Sequence, residues 1–209
     1  MLIPLNQMVT YFKMNITGIL HVGAHECEEQ NFYLKENVQN ENIYWIEAMQ
    51  DKVDLMLMSN PLLNIYQAVI SDKNDEEVEF KITNNGQSSS ILDLGTHLKH
   101  HPQVHVTNVV KLKTSRLDKV IEKNNINMSN VNFLNLDIQG AELLALKSME
   151  KYLKNVKYIY TEVNTEKVYK DCALMNEIDD YLQQFGFTRA VHKLFGNCGW
   201  GDALYIKND

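Results

Sequence analysis

Gly18-Ile19-Leu20-His21-Val22-Gly23-Ala24-His25-Glu26-Cys27 reads as a strand, a tight turn and the start of a helix. Apolar residues fill the strand, and Gly23 removes the Cβ where the backbone must turn and a ligand can approach closely. In an open α/β sheet, ligands bind outside the carboxyl ends of the strands, so this turn is the place to look for one. The next apolar run, Ile43-Tyr44-Trp45-Ile46, ends in Glu47-Ala48. A carboxylate roughly 20 residues beyond a glycine turn, at the end of the following strand, can accept both hydroxyls of a ribose. Gly23 and Glu47 together point to an adenosine-containing cofactor.

Both NAD and S-adenosylmethionine satisfy that spacing. The G-x-G-x-x-G pattern that brings a helix N-terminus onto a pyrophosphate is missing. In its place stand Glu26, Glu28 and Glu29. Three acids complement a helix dipole and tolerate a sulfonium cation, but they repel a pyrophosphate. The local chemistry therefore favours S-adenosylmethionine.

Outward from this stretch, strands and helices alternate. The pattern predicts an arm or short helix in residues 1–17 and strand one over 18–22, then a helix over 26–36 and strand two over 43–46. A helix follows over 51–58, with Val53, Leu55, Met56 and Met58 on its inner side, and strand three over 63–70. Residues 76–82 alternate apolar and charged side chains, as in a half-exposed antiparallel strand. Residues 84–105 are irregular and read as an insertion bordering the site. Strands over 109–112, 131–136 and 156–163 then alternate with helices ending near 121, over 140–149 and over 175–185. Gly186 reads as a helix C-cap, and residues 187–194 and 203–207 as a closing hairpin. The expectation is one α/β domain over 1–209, a mostly parallel sheet with helices on both faces and an antiparallel C-terminal strand pair.

Bulk properties narrow the function. At 209 residues with a net charge of −7, the chain lacks the basic surface that nucleic acid or an anionic membrane requires. Cys27, Cys172 and Cys198 have no metal-type pairing and an odd count, which fits a reducing compartment. No charged and apolar leader pattern stands at the N-terminus, and no apolar run approaches the roughly 18 residues of a membrane span. The expected setting is cytoplasmic, with no nucleic-acid or membrane partner; oligomerisation stays open.

These pieces, in order, resemble the FkbM family of S-adenosylmethionine-dependent methyltransferases. Leu136-Asp137-Ile138-Gln139-Gly140-Ala141-Glu142 is similar to its D-[IV]-[EQ]-G-x-E signature. His21-Val22-Gly23-Ala24-His25 is similar to its D-V-G-A-[NH] motif, Trp45-Ile46-Glu47-Ala48 to its V-x-x-[FW]-E-[AP] motif, and Ser115-Arg116-Leu117-Asp118 to its T-L-D segment. His21 and Cys27 stand where the family has Asp and a second Gly. The resemblance implies a Rossmann-like class I methyltransferase fold and O-methylation of a small hydroxylated acceptor such as a sugar. It implies S-adenosylmethionine held by His21, Gly23, Ala24, His25, Glu47, Ala48 and Asp137. The altered residues keep a non-catalytic scaffold in view, and an NAD-dependent oxidoreductase stands behind that.

Each residue also has a plainer reading. Gly23 serves any tight turn, and Glu47 can cap a helix. Ala24 and His25 offer backbone N–H groups or line the methionine side. Asp137 can position an acceptor hydroxyl and take its proton, or cap the helix that follows. Glu142 can touch the substrate or complement the helix dipole. Glu162 ends the next strand and can face the same pocket or pair with a lysine. His97, His100, His101 and His105 lie in the irregular segment without a nearby cysteine; no metal site is expected there.

Overall fold

The computed structural model describes residues 1–208. In chain order they form α1 (Leu5–Phe12), β1 (Ile19–Val22), α2 (Gln30–Lys35), β2 (Ile43–Glu47), α3 (Gln50–Ser59), β3 (Asn64–Gln67), β4 (Val69–Ile70) and β5 (Glu77–Thr83). Then follow α4 (His97–His100), β6 (Val106–Ser115), α5 (Leu117–Lys123), β7 (Phe133–Leu136), α6 (Glu142–Ser148) and β8 (Tyr158–Asn164). The chain closes with α7 (Met175–Gln183), β9 (Phe187–Leu194) and β10 (Trp200–Lys207).

Seven strands make the main sheet, in the order β3-β2-β1-β7-β8-β10-β9. The first five are parallel, and β10 runs antiparallel to both β8 and β9. Alternate residues of each strand feed opposite cores. Ile19, Trp45, Phe133 and Leu204 meet Leu5, Met8, Tyr33 and Val53 from α1, α2 and α3. Leu20, Ile46 and Leu134 meet Leu117, Ala145, Leu146 and Leu182 from α5, α6 and α7. Helices thus cover both faces, which is why β1 and β7 are buried throughout and apolar except for His21 and Asn135. Each such large side chain contributes about 1.5–3 kcal/mol on burial. No helix among the described residues is long and apolar enough to cross a membrane.

Three expectations are corrected. The helix expected from residue 26 begins only at Gln30, because His25 and Cys27 take left-handed backbone angles (φ 45° and 54°) that no helix accommodates. Cys27 therefore occupies a position suited to the glycine of the family pattern. Strand three splits: β3 stays in the main sheet, while β4 joins β5 and β6 in a separate three-stranded sheet. On α3 only Val53 is buried, and Leu55 and Met58 are 47% and 83% exposed. Residues 84–105 are largely irregular, as expected, with the single turn of α4 inside them.

Candidate active site

The register lines up one row of residues along the carboxyl edge of the main sheet. Val22 pairs with Ile46 and with Leu136, and Leu136 with Thr161. The next residues along are Gly23, Glu47, Asp137 and Glu162, and Glu162 pairs with Asp202 on β10. Because side chains alternate along strands, four carboxylates face the same way from the same edge. β10 runs in reverse, so its beginning, Trp200 to Asp202, meets the ends of the parallel strands.

Gly23 is the pivot. Its φ is +93°, and a Cβ there would lie 1.8 Å from the carbonyl oxygen of Asp137. Its own N–H and that of Ala24 both donate to the Ile46 carbonyl, at 2.9 and 3.0 Å. Gly23→Ala is expected to cost more than about 3 kcal/mol, since backbone must move and the backbone angle is unfavourable; urea unfolding would show it as a lowered midpoint.

Glu47 is 5% exposed. One carboxylate oxygen accepts the His25 N–H at 2.7 Å, and the other the Met49 N–H at 2.8 Å. Burial raises its pKa, and these two donors offset part of the rise. A carboxylate has about four acceptor positions, so two remain for a ligand. The backbone N–H groups of Ala24 and His25 are thus already engaged within the protein. Ala24 is buried and lines no cavity, whereas Ala48 lines a narrow cleft beside Glu47.

That cleft has a volume of about 70 Å³ and apolar walls from Val69, Ile70, Phe80 and Ile91. It adjoins a cavity of about 430 Å³, within the usual range of ligand pockets. Gly23, His25, Gln87, Asp137 and Gln139 line both. Asp137 stands at this junction. It opens to the cavity, but the surrounding protein, followed by the charge of Asp202, pushes its carboxyl up to about 6. The Gln139 side-chain N–H₂ donates to Asp137 at 2.6 Å and to Glu162 at 2.9 Å. The Tyr169 hydroxyl donates to the Gln139 side-chain oxygen at 2.5 Å. Burial, then the nearby Glu142 and Asp137, raise Glu162 well above the usual carboxylate range.

Glu142 lies elsewhere. It is buried outside both cavities, accepting the N–H groups of Ile138 and Gly140 at 3.0 and 3.1 Å. Its carboxylate ties the turn that presents Asp137 and Gln139, and burial pushes its pKa up to about 7. A carboxyl raised above its unfolded value stabilises the fold fully below about pH 4 and loses that contribution as pH rises through about 7. Glu142→Gln keeps an acceptor oxygen without the charge. It is expected to lessen the fall in melting temperature between pH 5 and pH 8, measured by calorimetry.

His21 lines the cavity floor. Its Nδ1 lies 3.0 Å from the Tyr33 hydroxyl, and its ring lies 4.8 Å from that of Trp45. Burial pulls its pKa down to about 3, so it is neutral. His25 bonds Glu28 at 2.7 Å. The four later histidines disperse: His100 lies 2.5 Å from Glu166, His105 is exposed, and only His97 and His101 line the cavity. Among the described residues, no three His, Cys, Asp or Glu are placed to hold a metal ion. Asp202 and Tyr169 were not singled out from sequence. An acid between Gly201 and Ala203 in an otherwise apolar strand was the available signal for Asp202; Tyr169 had none.

The methyltransferase FkbM domain profile matches residues 21–189, spanning the whole row from His21 to Glu162. The chain belongs to the FkbM methyltransferase family. The matched domain is of the S-adenosylmethionine-dependent methyltransferase class, whose cofactor is S-adenosylmethionine. That sets aside the scaffold and NAD-dependent readings. The FkbM chain is 23% identical over 130 residues to 2-O-methyltransferase NoeI of Sinorhizobium fredii, covering 59% of this chain and 52% of that protein. It thus spans about half the length of the curated relative it matches. The crystal structure of methyltransferase FkbM from Methylobacillus flagellatus shares the fold, with a TM-score of 0.56 at 12% identity over 91% of this chain and 43% of the other. An S-adenosylmethionine-dependent methyltransferase from Clostridium acetobutylicum gives 0.50 at 7% identity, covering 98% and 89%. The residues present suit the cofactor: Gly23 lines the cleft and the cavity at the strand ends, Glu47 retains acceptor positions, and the carboxylate row suits a sulfonium.

Proposed function

We propose that this FkbM methyltransferase is an O-methyltransferase whose acceptor is a small hydroxylated molecule, a sugar, and that Asp137 is its central catalytic residue. The observation that carries the reading is the position of Asp137, at the junction of the cleft beside Glu47 and the larger cavity. When bound, S-adenosylmethionine supplies the activated methyl group. In this reading Glu47 accepts the ribose hydroxyls, Gly23 and Ala48 shape the approach, and the apolar cleft receives the adenine. His21 and His25 border the methionine side. Asp137 is placed to accept the acceptor hydroxyl's proton, and Gln139 holds the carboxylate in place; bound S-adenosylmethionine would give its methyl to that hydroxyl oxygen and leave as S-adenosylhomocysteine. Glu142 holds the turn rather than touching substrate. Residues 1–209 act as one catalytic domain, with residues 1–17 bordering the larger cavity and residues 84–105 bordering both it and the cleft. Leu2 N–H donates to Asp202 at 2.6 Å. The similarity to a 2-O-methyltransferase supports a hydroxyl acceptor.

With Asp137 as the base, turnover rises with pH as that carboxyl ionises. The kcat profile is expected to fall about tenfold per pH unit below an inflection near 6, and Asp137→Asn is expected to remove that limb. The reading is tested by incubating the purified protein with methyl-labelled S-adenosylmethionine and a panel of methyl hexopyranosides. Label in a sugar methyl ether supports it; label only in nitrogen or sulfur acceptors overturns it.

A further inference from the structure

The large cavity has an uneven lining. Five carboxylates border it, Glu28, Glu29, Asp137, Glu162 and Asp202, and among the described residues the one cation on its wall is the Met1 ammonium, which already pairs with Glu29 at 3.6 Å. Its rim on the far side from Glu47 is aromatic. Phe195 and Trp200 stack across the β9–β10 turn at 4.9 Å with planes 23° apart. The turn is closed by the Phe195 N–H donating to the Trp200 carbonyl at 2.9 Å. Trp200 Nε1–H donates to His101 Nε2 at 3.3 Å, which fixes the indole and brings the imidazole within 6.2 Å of Phe195. Phe195 is nonetheless 44% exposed. An apolar ring left open at a cavity mouth, beside oriented neighbours, is a surface prepared for contact. A second feature points to a ligand. His97 also lines the cavity, is 6% exposed, and its Nδ1 has no hydrogen-bond partner. Burial holds it neutral, with a pKa of about 4. A neutral imidazole gives an anion in the cavity no charge to pair with.

We propose that the Phe195–Trp200–His101 surface is the acceptor subsite, that it takes the apolar face of a pyranose ring, and that the cavity admits sugars without negative charge and rejects anionic ones. This rests on the sugar-hydroxyl reading above and adds a recognition surface and a charge rule to it. The C–H groups of a pyranose face pack on aromatic rings. Its hydroxyls reach the carboxylate row, which accepts their hydrogen bonds. A carboxylate or phosphate on the sugar enters a cavity where five acids outnumber a single ammonium, itself already paired with Glu29, and like charges brought together are costly. An amine on the sugar meets the opposite situation and is tolerated.

The test pairs methyl hexopyranosides with the matching methyl hexuronides and a methyl hexosaminide, using labelled methyl transfer by the full chain. The expected result is a kcat/KM at least ~10-fold lower for each uronide than for its neutral partner. Phe195→Ala and Trp200→Ala are expected to raise KM for the neutral sugars about tenfold or more. Both should leave kcat and S-adenosylhomocysteine affinity near wild type, which separates loss of acceptor contact from misfolding. Uronides used as well as neutral sugars, or unchanged KM in both aromatic variants, would overturn the subsite while leaving sugar O-methylation intact. Transfer to non-sugar acceptors alone would overturn both.

Discussion

Asp137→Asn is expected to lower turnover by about 10²–10⁴-fold, the usual contribution of a positioned general base. S-adenosylhomocysteine affinity should change by less than about threefold, because an amide of the same shape leaves the turn at Gly23 and the Glu47 carboxylate unaltered. The argument rests on position and on charge. Among the residues lining both the cavity and the Glu47 cleft, Asp137 is the one carboxylate, and its pKa near 6 leaves it mostly ionised at neutral pH. Asn removes the proton acceptor and also relieves repulsion from Asp202 and Glu162, so the variant should fold at least as stably as wild type. Single-turnover methyl transfer, together with calorimetric titration, separates the two effects. Turnover within a few-fold of wild type would remove Asp137 from the chemistry.

Glu47→Ala is expected to weaken S-adenosylhomocysteine binding by at least ~100-fold. Two charge-assisted hydrogen bonds from ribose hydroxyls are worth about 1.5–3 kcal/mol each, and every 1.4 kcal/mol is tenfold in affinity. The same side chain ties down the His25 and Met49 N–H groups, so part of the Ala effect is a loosened turn. Glu47→Gln distinguishes these roles. It retains one acceptor oxygen but leaves either the His25 or the Met49 N–H facing an amide N–H₂, so it should melt somewhat below wild type, by less than Glu47→Ala, and still bind at least ~10-fold more weakly. Binding unaffected in Glu47→Gln would mean that the carboxylate serves the turn alone.

Much of the fold was readable because β1, β2 and β7 are short apolar runs closed by Gly23, Glu47 and Asp137, and local pattern alone identifies such strand ends. The delayed start of α2 was less readable, since the left-handed angles at His25 and Cys27 are imposed by the turn's closure onto Glu47 and by no helix-breaking residue. The split between β3 and β4 depends on which distant strand each one meets, information absent from residues 63–70 themselves. At the site, Asp137 and Glu47 stood out as acids ending apolar strands. The part played by Gln139 was hidden, because its bridge between Asp137 and Glu162 exists only after two strands are laid side by side. Glu142 was legible as a helix-start acid, but only its hydrogen bonds to Ile138 and Gly140 place it beneath the cavities.

The reversal of β10 separates two duties along the chain. The cofactor side is built early, from the ends of β1 and β2, and is locked into the middle of the sheet by neighbours on both sides. The aromatic rim is carried by a turn between the last two strands, at the sheet's margin, where Gly196 meets no atom that an added Cβ would touch. Lengthening or exchanging residues 195–199 therefore leaves the Gly23–Glu47 pairing undisturbed. Across related chains, that turn is where diversification can proceed without rebuilding the catalytic engine, and in the laboratory it is the natural splice point for transplanting one enzyme's acceptor preference onto another.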